Sequence, residues 1–456
     1  MNRTFLLALV GGGLAGLTAA SVAVAATDAA PALMFEKYTL ANGLEVLLSD
    51  DHRVPLVAVN IWYHVGAGYE VPGRSGFAHL FEHIMFQGSR NVAEDTFFKY
   101  LEQAGAPLVN GTTDFDRTNY FETVPSNQLE LALWLESDRM GFLLDTLTQE
   151  RLDNQKAVVR KERQQSVENV PYGTPEERLI QLLYPAPHPY YGAVIGTHAD
   201  LEAATLSDVR EFFQVWYVPN NATIAIVGDF DPRTVRATVE KYFGSIPGGP
   251  EPVVPASMTQ PISAERREVV PDEVELPRVY LGWVTSPIYQ PGDVELQIAG
   301  SILADGRSSR LYQALVVDNP IAQDVDAEQY PLAQGSLFTL EVTGKAGQSL
   351  EVLEAEAWRV LEGLQLAPPS EEEVLRAQRS WEAATLRGLE GLGGFGGRAD
   401  VLNTYNHHLG DPGFLPKHFE RMRAVTPAAV QKAVVDQLRK DNRVVVHVPP
   451  IKQGAK

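Results

Sequence analysis

The run His79-Leu80-Phe81-Glu82-His83 puts two imidazoles and a carboxylate within five residues. Helical residues three and four apart share a side, so a helix here projects His79, Glu82 and His83 together. Two neutral imidazoles can hold Zn²⁺, while a neighbouring carboxylate takes a proton from an attacking water. The order, H-x-x-E-H, inverts the H-E-x-x-H zinc signature. A catalytic zinc usually takes three protein ligands and keeps one position open, so a third ligand must come from elsewhere in the chain. Cysteine is absent, which leaves His, Asp and Glu as donors. Glu162 is the best local candidate; Glu150, Asp153 and Glu168 are also available, and spacing alone does not choose among them.

The elements around the motif follow from periodicity. Phe77, Leu80, Phe81, Ile84 and Met85 mark one apolar helix face, opposite the motif side chains. Phe35 to Leu48 alternates around Asn42-Gly43, a hairpin signal. Val54 to Val65 reads as a strand, Asn127 to Thr146 and Glu150 to Val167 as helices, Thr223 to Val227 as a strand, and Pro232 to Phe243 as a helix. Residues 247–261 hold five prolines and two glycines, a linker composition. The expected organisation is a signal peptide over 1–26, an N-terminal domain over 34–246, the linker 247–261, and a C-terminal domain over 262–450. The halves resemble diverged copies: VYLGWVT (Val279 to Thr285) aligns with the strand from Val57 to Val65, each followed by a Pro/Gly loop and a helix. This alignment sets Gln297, Gly300 and Ser301 where the first half has His79, Glu82 and His83, so the second copy has no metal ligands.

At 456 residues the chain is long enough for two or three domains. A formal charge of −20 argues against nucleic acid as a partner, since phosphate binding needs clustered Lys and Arg. Arg3, the apolar run Phe5 to Ala26 and the pattern Ala23-Val24-Ala25 predict a secretory signal cleaved after Ala25 or Ala26. The expected location is across the inner membrane, in the periplasm, with no membrane association after cleavage. Gly391 to Gly397 is glycine-rich but has no following Lys-Ser/Thr, so it reads as a flexible loop or helix break rather than a phosphate loop. His407-His408 reads as a surface pair.

Four stretches occur in one order: HLFEHIMFQGS from His79, NGTTDFDRTNYFETVP from Asn110, LDNQKAVVRKERQQ from Leu152, and WYVPNNATIAIVGDF from Trp216. Together they resemble the pitrilysin/insulinase (M16) family, most closely a bacterial short-chain branch similar to mitochondrial processing peptidase. The resemblance implies an α+β fold of two homologous domains, each an antiparallel sheet packed with helices. It implies a zinc endopeptidase with metal ligands His79, His83 and Glu162 and general base Glu82. Glu162 lies 79 residues after His83, as the family pattern expects. Asn110, Gly111 and Thr112 are the implied substrate contacts, on a strand edge that pairs with extended peptides. Where the family commonly has an acidic residue seven positions before the ligand glutamate, this chain has Gln155. It keeps the turn Ser308-Ser309-Arg310-Leu311-Tyr312, but Val316 and Gln323 stand where active relatives have an Arg–Tyr pair that steadies the oxyanion. Two explanations compete: one half of a divided enzyme acting on peptides or unfolded segments and completed by a paralogous subunit carrying that pair, which the resemblance favours, or a chain that acts alone with lower efficiency. The rival expectation is a non-catalytic structural or assembly subunit of a processing-peptidase-like or respiratory complex.

Overall fold

Asn42 and Gly43 turn the first hairpin. The Asn42 amide donates to Phe243 O and Ile246 O, both at 2.8 Å. Gly43 takes φ +94°, and a Cβ there would lie 2.5 Å from Asn220 Cβ. The turn joins β1 (Glu36–Thr39) to β2 (Glu45–Asp50) in antiparallel register. The structure is a computed structural model that describes residues 29–254 and 262–451. The expected signal peptide and residues 255–261 of the linker lie outside the described residues. Residues 247–254 form no regular element.

β3 (Leu56–Tyr63) alternates as expected, with Val57, Val59, Ile61 and Tyr63 in the main core of the first half. β4 (Leu108–Thr113), β5 (Thr118–Pro125) and β6 (Ala222–Gly228) complete a six-stranded sheet in the order β1-β2-β6-β3-β5-β4. The second sheet contains β7 (Arg266–Val269), β8 (Arg278–Thr285), β9 (Ala322–Tyr330), β10 (Ser336–Gly344) and β11 (Val444–Val448), ordered β7-β11-β8-β10-β9. Helices pack on both sheets, giving an α+β molecule. The expectation of wholly antiparallel sheets is corrected at one pairing in each: β2–β6 and β7–β11 run parallel. Parallel neighbours require a long crossover, and here the two strands of each pair are joined by the helices of their own half.

The duplication is explicit in the strand order. β2-β6-β3-β5-β4 and β7-β11-β8-β10-β9 have the same succession of one parallel and three antiparallel pairings. The motif helix (Phe77–Ile84) follows β3, and the helix Asp293–Ala304 follows β8 in the corresponding place.

Each half also places a helix on the other's sheet. The helix Gly173–Leu183 buries Leu179 and Leu183 with Tyr280, Val444 and Val446 of the second sheet. The helix Arg398–Leu409 buries Ala399 and Leu402 against Leu47, Ala58, Ala225 and Val227 of the first. This reciprocal cover explains why β3 is buried on both faces. The two sheets therefore share their covering helices and are not packed as separate units. Among the described residues, no helix is long and apolar enough to cross a membrane.

Candidate metal centre

Gly76 opens the motif helix at φ +86°, where a Cβ would sit 2.6 Å from Gly196 Cα. The Glu70 carboxylate accepts from Gly76 N (2.9 Å) and Ala78 N (2.8 Å), satisfying donors that a helix start leaves open. Burial pushes the Glu70 carboxyl well up, against those backbone hydrogen bonds. Phe77, Leu80, Phe81, Ile84 and Met85 are all buried, so the apolar face is anchored as its period requires.

The opposite face meets the helix Gln149–Arg163, which starts at a Thr148 cap accepting from Arg151 N. Its last turn is pinned by Arg163, which donates to Gly196 O (2.9 Å) and Glu177 (2.7 Å). Glu162 lies there, with Oε2 3.0 Å from His83 Nε2 and Oε1 3.6 Å from His79 Nε2. The ligand atoms of His79, His83 and Glu162 all lie within 4.8 Å of one another. Zinc bonds of about 2 Å need such a convergence of two nitrogens and a carboxylate oxygen, so the donor set fits the ion. Burial, then the neighbouring His83, pulls the His79 pKa down to about 4, against the attraction of Glu162. The Glu162 carboxyl is held below its ordinary range, chiefly by the hydrogen bond with His83.

Glu82 stands beside this trio. Thr113 Oγ1 donates to its Oε2 at 2.7 Å. Burial raises the Glu82 carboxyl, opposed by that hydrogen bond. A Cβ at Gly111 would fall 3.1 Å from Glu82 Cγ, so the glycine lets β4 approach the carboxylate. Of the four acidic residues open on spacing, Glu162 alone joins the histidines. Glu168 instead meets His198 Nε2 at 2.9 Å, Asp153 accepts from Gln149 at 3.0 Å, and Glu150 is an exposed residue in the first turn. Gln155 lies buried two turns before Glu162.

Asn110, Gly111 and Thr112 lie on β4, the last strand of the sheet. Asn110 is exposed and its Oδ1 accepts from Gly111 N. Thr112 is tied inward, its hydroxyl donating to Asn119 Oδ1 at 2.5 Å and its carbonyl accepting from Arg117 at 3.0 Å. Val316 lies in the π-helical turn Tyr312–Asp318, packed against the second core, and Gln323 is exposed near the start of β9.

Three features have little or no signature in the sequence. Thr113 is signalled only by its period-two relation to Gly111. Arg139 and Glu136 form a fully buried ion pair beside Glu122, under the rings of Tyr120, Phe97 and Phe86. His407 and His408 are not a surface pair. The His407 ring packs 4.8 Å from His64 and 5.6 Å from Trp62, because their helix covers the first sheet. A cavity of about 790 Å³ lies beside Tyr69, Phe77, Phe212 and Trp216, and its lining excludes His79, Glu82, His83 and Glu162.

The fold and site thus define a two-sheet α+β chain with a His-His-Glu cluster on two packed helices. The model described as insulinase, peptidase family M16, matches residues 45–184, and that described as the peptidase M16 inactive domain matches residues 203–380. The chain belongs to peptidase family M16. The zinc protease PqqE of Helicobacter pylori is 29% identical over 359 residues, 78% of this chain and 80% of that protein. A crystal structure of a protease from Helicobacter pylori has a TM-score of 0.84 at 26% identity, covering 92% of this chain and 100% of that one. The periplasmic protease PqqL from Escherichia coli shares the fold, with a TM-score of 0.74 at 16% identity over 93% of this chain and 48% of that one.

Proposed function

We propose that this protein is a zinc endopeptidase acting on peptides or unfolded segments. The observation that carries the reading is the convergence of His79, His83 and Glu162 with Glu82 at their side. His79, His83 and Glu162 would hold the ion. When bound, zinc supplies a Lewis acid that polarises a carbonyl and makes water nucleophilic near neutral pH.

Glu82 takes the proton of the attacking water and returns it to the leaving amine. Thr113 holds the Glu82 carboxylate in one orientation through its hydrogen bond. The β4 edge, with Asn110, Gly111 and Thr112, pairs with an extended substrate through main-chain hydrogen bonds. Val316 has no donor and Gln323 offers only an uncharged amide, so together they do not reproduce the charged Arg–Tyr pair as oxyanion donors. A paralogous subunit carrying that pair therefore completes the site. Export to the periplasm is supported by the charge and apolar pattern before residue 27 and by the description of PqqL as periplasmic.

The test is hydrolysis of a broad quenched-fluorescent peptide set by the purified zinc-loaded protein, alone and with its paralogue. Turnover abolished by chelation supports the reading. Turnover by the protein alone at the rate of the pair contradicts the divided-site part, and no turnover in either case contradicts the peptidase reading.

A further inference from the structure

The glycine-rich run Gly391–Gly397 is built onto the first sheet. Leu392 is buried with Leu47, Ala58 and Ala225, and Arg398 pairs with Asp51. A Cβ at Gly393 would lie 2.8 Å from Ala58 Cβ and 2.9 Å from Thr123 Oγ1, so only glycine lets the loop lie this close. Gly394 and Gly396 adopt φ of +79° and +68°, and Gly396 N donates to Asp400 at 2.9 Å. These constraints fix the loop on both sides of Phe395.

Phe395 stands at the crest, 69% exposed, with its ring edge-on to Phe121 at 5.5 Å. Phe121 is opposite Asn110 in the β4–β5 register, and the Cβ position of Gly394 is 3.0 Å from Leu108 Cδ2. Leu108 is itself 38% exposed, on the last strand of the sheet. Side chains alternate along a strand. Leu108, Asn110 and Thr112 therefore share the face that carries the loop, while Gly111 and Thr113 share the face that meets Glu82. The exposed Phe395 ring beside Phe121 and the exposed Leu108 beside Gly394 thus lie on one face of the sheet edge, along the strand that runs to the candidate metal centre.

We propose that Phe395 and Leu108 form an apolar subsite for one side chain of a peptide paired with β4. This rests on the peptidase reading above. The bond to be cleaved lies level with Gly111 to Thr113, beside Glu82. Leu108 is three to five residues back along the strand, roughly 10–17 Å at the usual rise. The preferred substrate therefore carries an apolar side chain, aromatic or long aliphatic, three to five residues from the cleaved bond. That side chain points to the sheet face opposite Glu82 and packs between the Phe395 ring and the Leu108 side chain.

The experiment measures anisotropy of labelled extended peptides that differ only at that position, carrying Phe, Leu or Ser. They are titrated with the full-length zinc-loaded Glu82→Gln protein, which isolates binding from turnover. The same peptides are offered to the wild type for cleavage, alone and with its paralogue. Phe and Leu peptides should bind on the order of tenfold more tightly than Ser peptides. Phe395→Ala, in the same background, should bring the ratio close to one, Leu108→Ala should lower it, and Phe395→Leu should restore most of it. Equal affinities, or a ratio unchanged by Phe395→Ala, overturn the subsite whether or not the wild type cleaves. A Phe395-dependent ratio with no cleavage upholds the subsite and overturns the peptidase reading instead.

Discussion

Gln155 occupies the position two helical turns before Glu162 where the family pattern has an acidic residue, and it is buried. An amide adds no charge near the ion, whereas groups that support metal ligands commonly change affinity by roughly 10- to 100-fold. Gln155→Glu should therefore tighten zinc by about tenfold, read by competition with a chromophoric chelator; unchanged or weaker binding contradicts this. Glu162→Ala should abolish stoichiometric zinc under the same assay. At this scale much was legible. His79, Glu82 and His83 declared themselves by helical spacing. Glu162 did not, because four carboxylates were open on spacing and resemblance selected one. Thr113 was illegible, since its contact with Glu82 depends on how β4 lies against the motif helix.

A glycine lets β4 lie close to the motif helix, and a buried ion pair lies under the rings of Phe86, Phe97 and Tyr120 beside them. A larger residue at Gly111 would press on Glu82 Cγ, Tyr120 and Phe86, each 3.1–3.2 Å from its Cβ position. Gly111→Val should retain zinc and lower kcat/KM by at least about tenfold, through misplacement of Glu82; wild-type kinetics contradict that role for the glycine. Arg139 is 1% exposed, and its removal leaves Glu136 and Glu122 buried without a cation. Arg139→Met should cost about 3–5 kcal/mol, measured by urea denaturation. The hairpin at Asn42-Gly43 and the helix Pro232–Phe243 were readable from local signals. The parallel pairings were not, because β2 and β6 are remote in sequence and choose each other through the whole half. The helix Gly173–Leu183 went unread for a related reason: its apolar face is matched to the other half's sheet.

The two halves meet where the β4–β5 turn touches the β9–β10 turn. Asp116, 3% exposed, accepts from Ala333 N (2.9 Å) and Tyr190 Oη (2.5 Å), and Tyr190 Oη in turn accepts from Gln334 N (2.9 Å). Burial raises the Asp116 pKa from 3.8 to about 6, helped by Asp114 and opposed by Tyr190, Ala333 and Arg117. A raised carboxyl binds its proton more tightly in the folded state than in the unfolded state. Its contribution to stability is therefore complete below about pH 4 and is lost as pH rises toward 6, by roughly 3 kcal/mol. Asp116→Asn should gain stability relative to the wild type across that interval; a constant offset in Tm from pH 4 to 7 contradicts this. The duplication was visible by comparing Val279 to Thr285 with Val57 to Val65, and the strand orders bear it out. The mutual exchange of covering helices was not visible, since no local pattern says which sheet a helix will cover. The proposed chemistry depends on Glu82 acting as the base beside a zinc held by His79, His83 and Glu162. Zinc content and peptide hydrolysis of Glu82→Gln, measured beside the wild type with the paralogue present, separate that role from metal binding. Both proteins should bind one zinc, and the variant should hydrolyse peptide more slowly by about two to four orders of magnitude. Undiminished hydrolysis by zinc-loaded Glu82→Gln would contradict the assignment of Glu82 as the base.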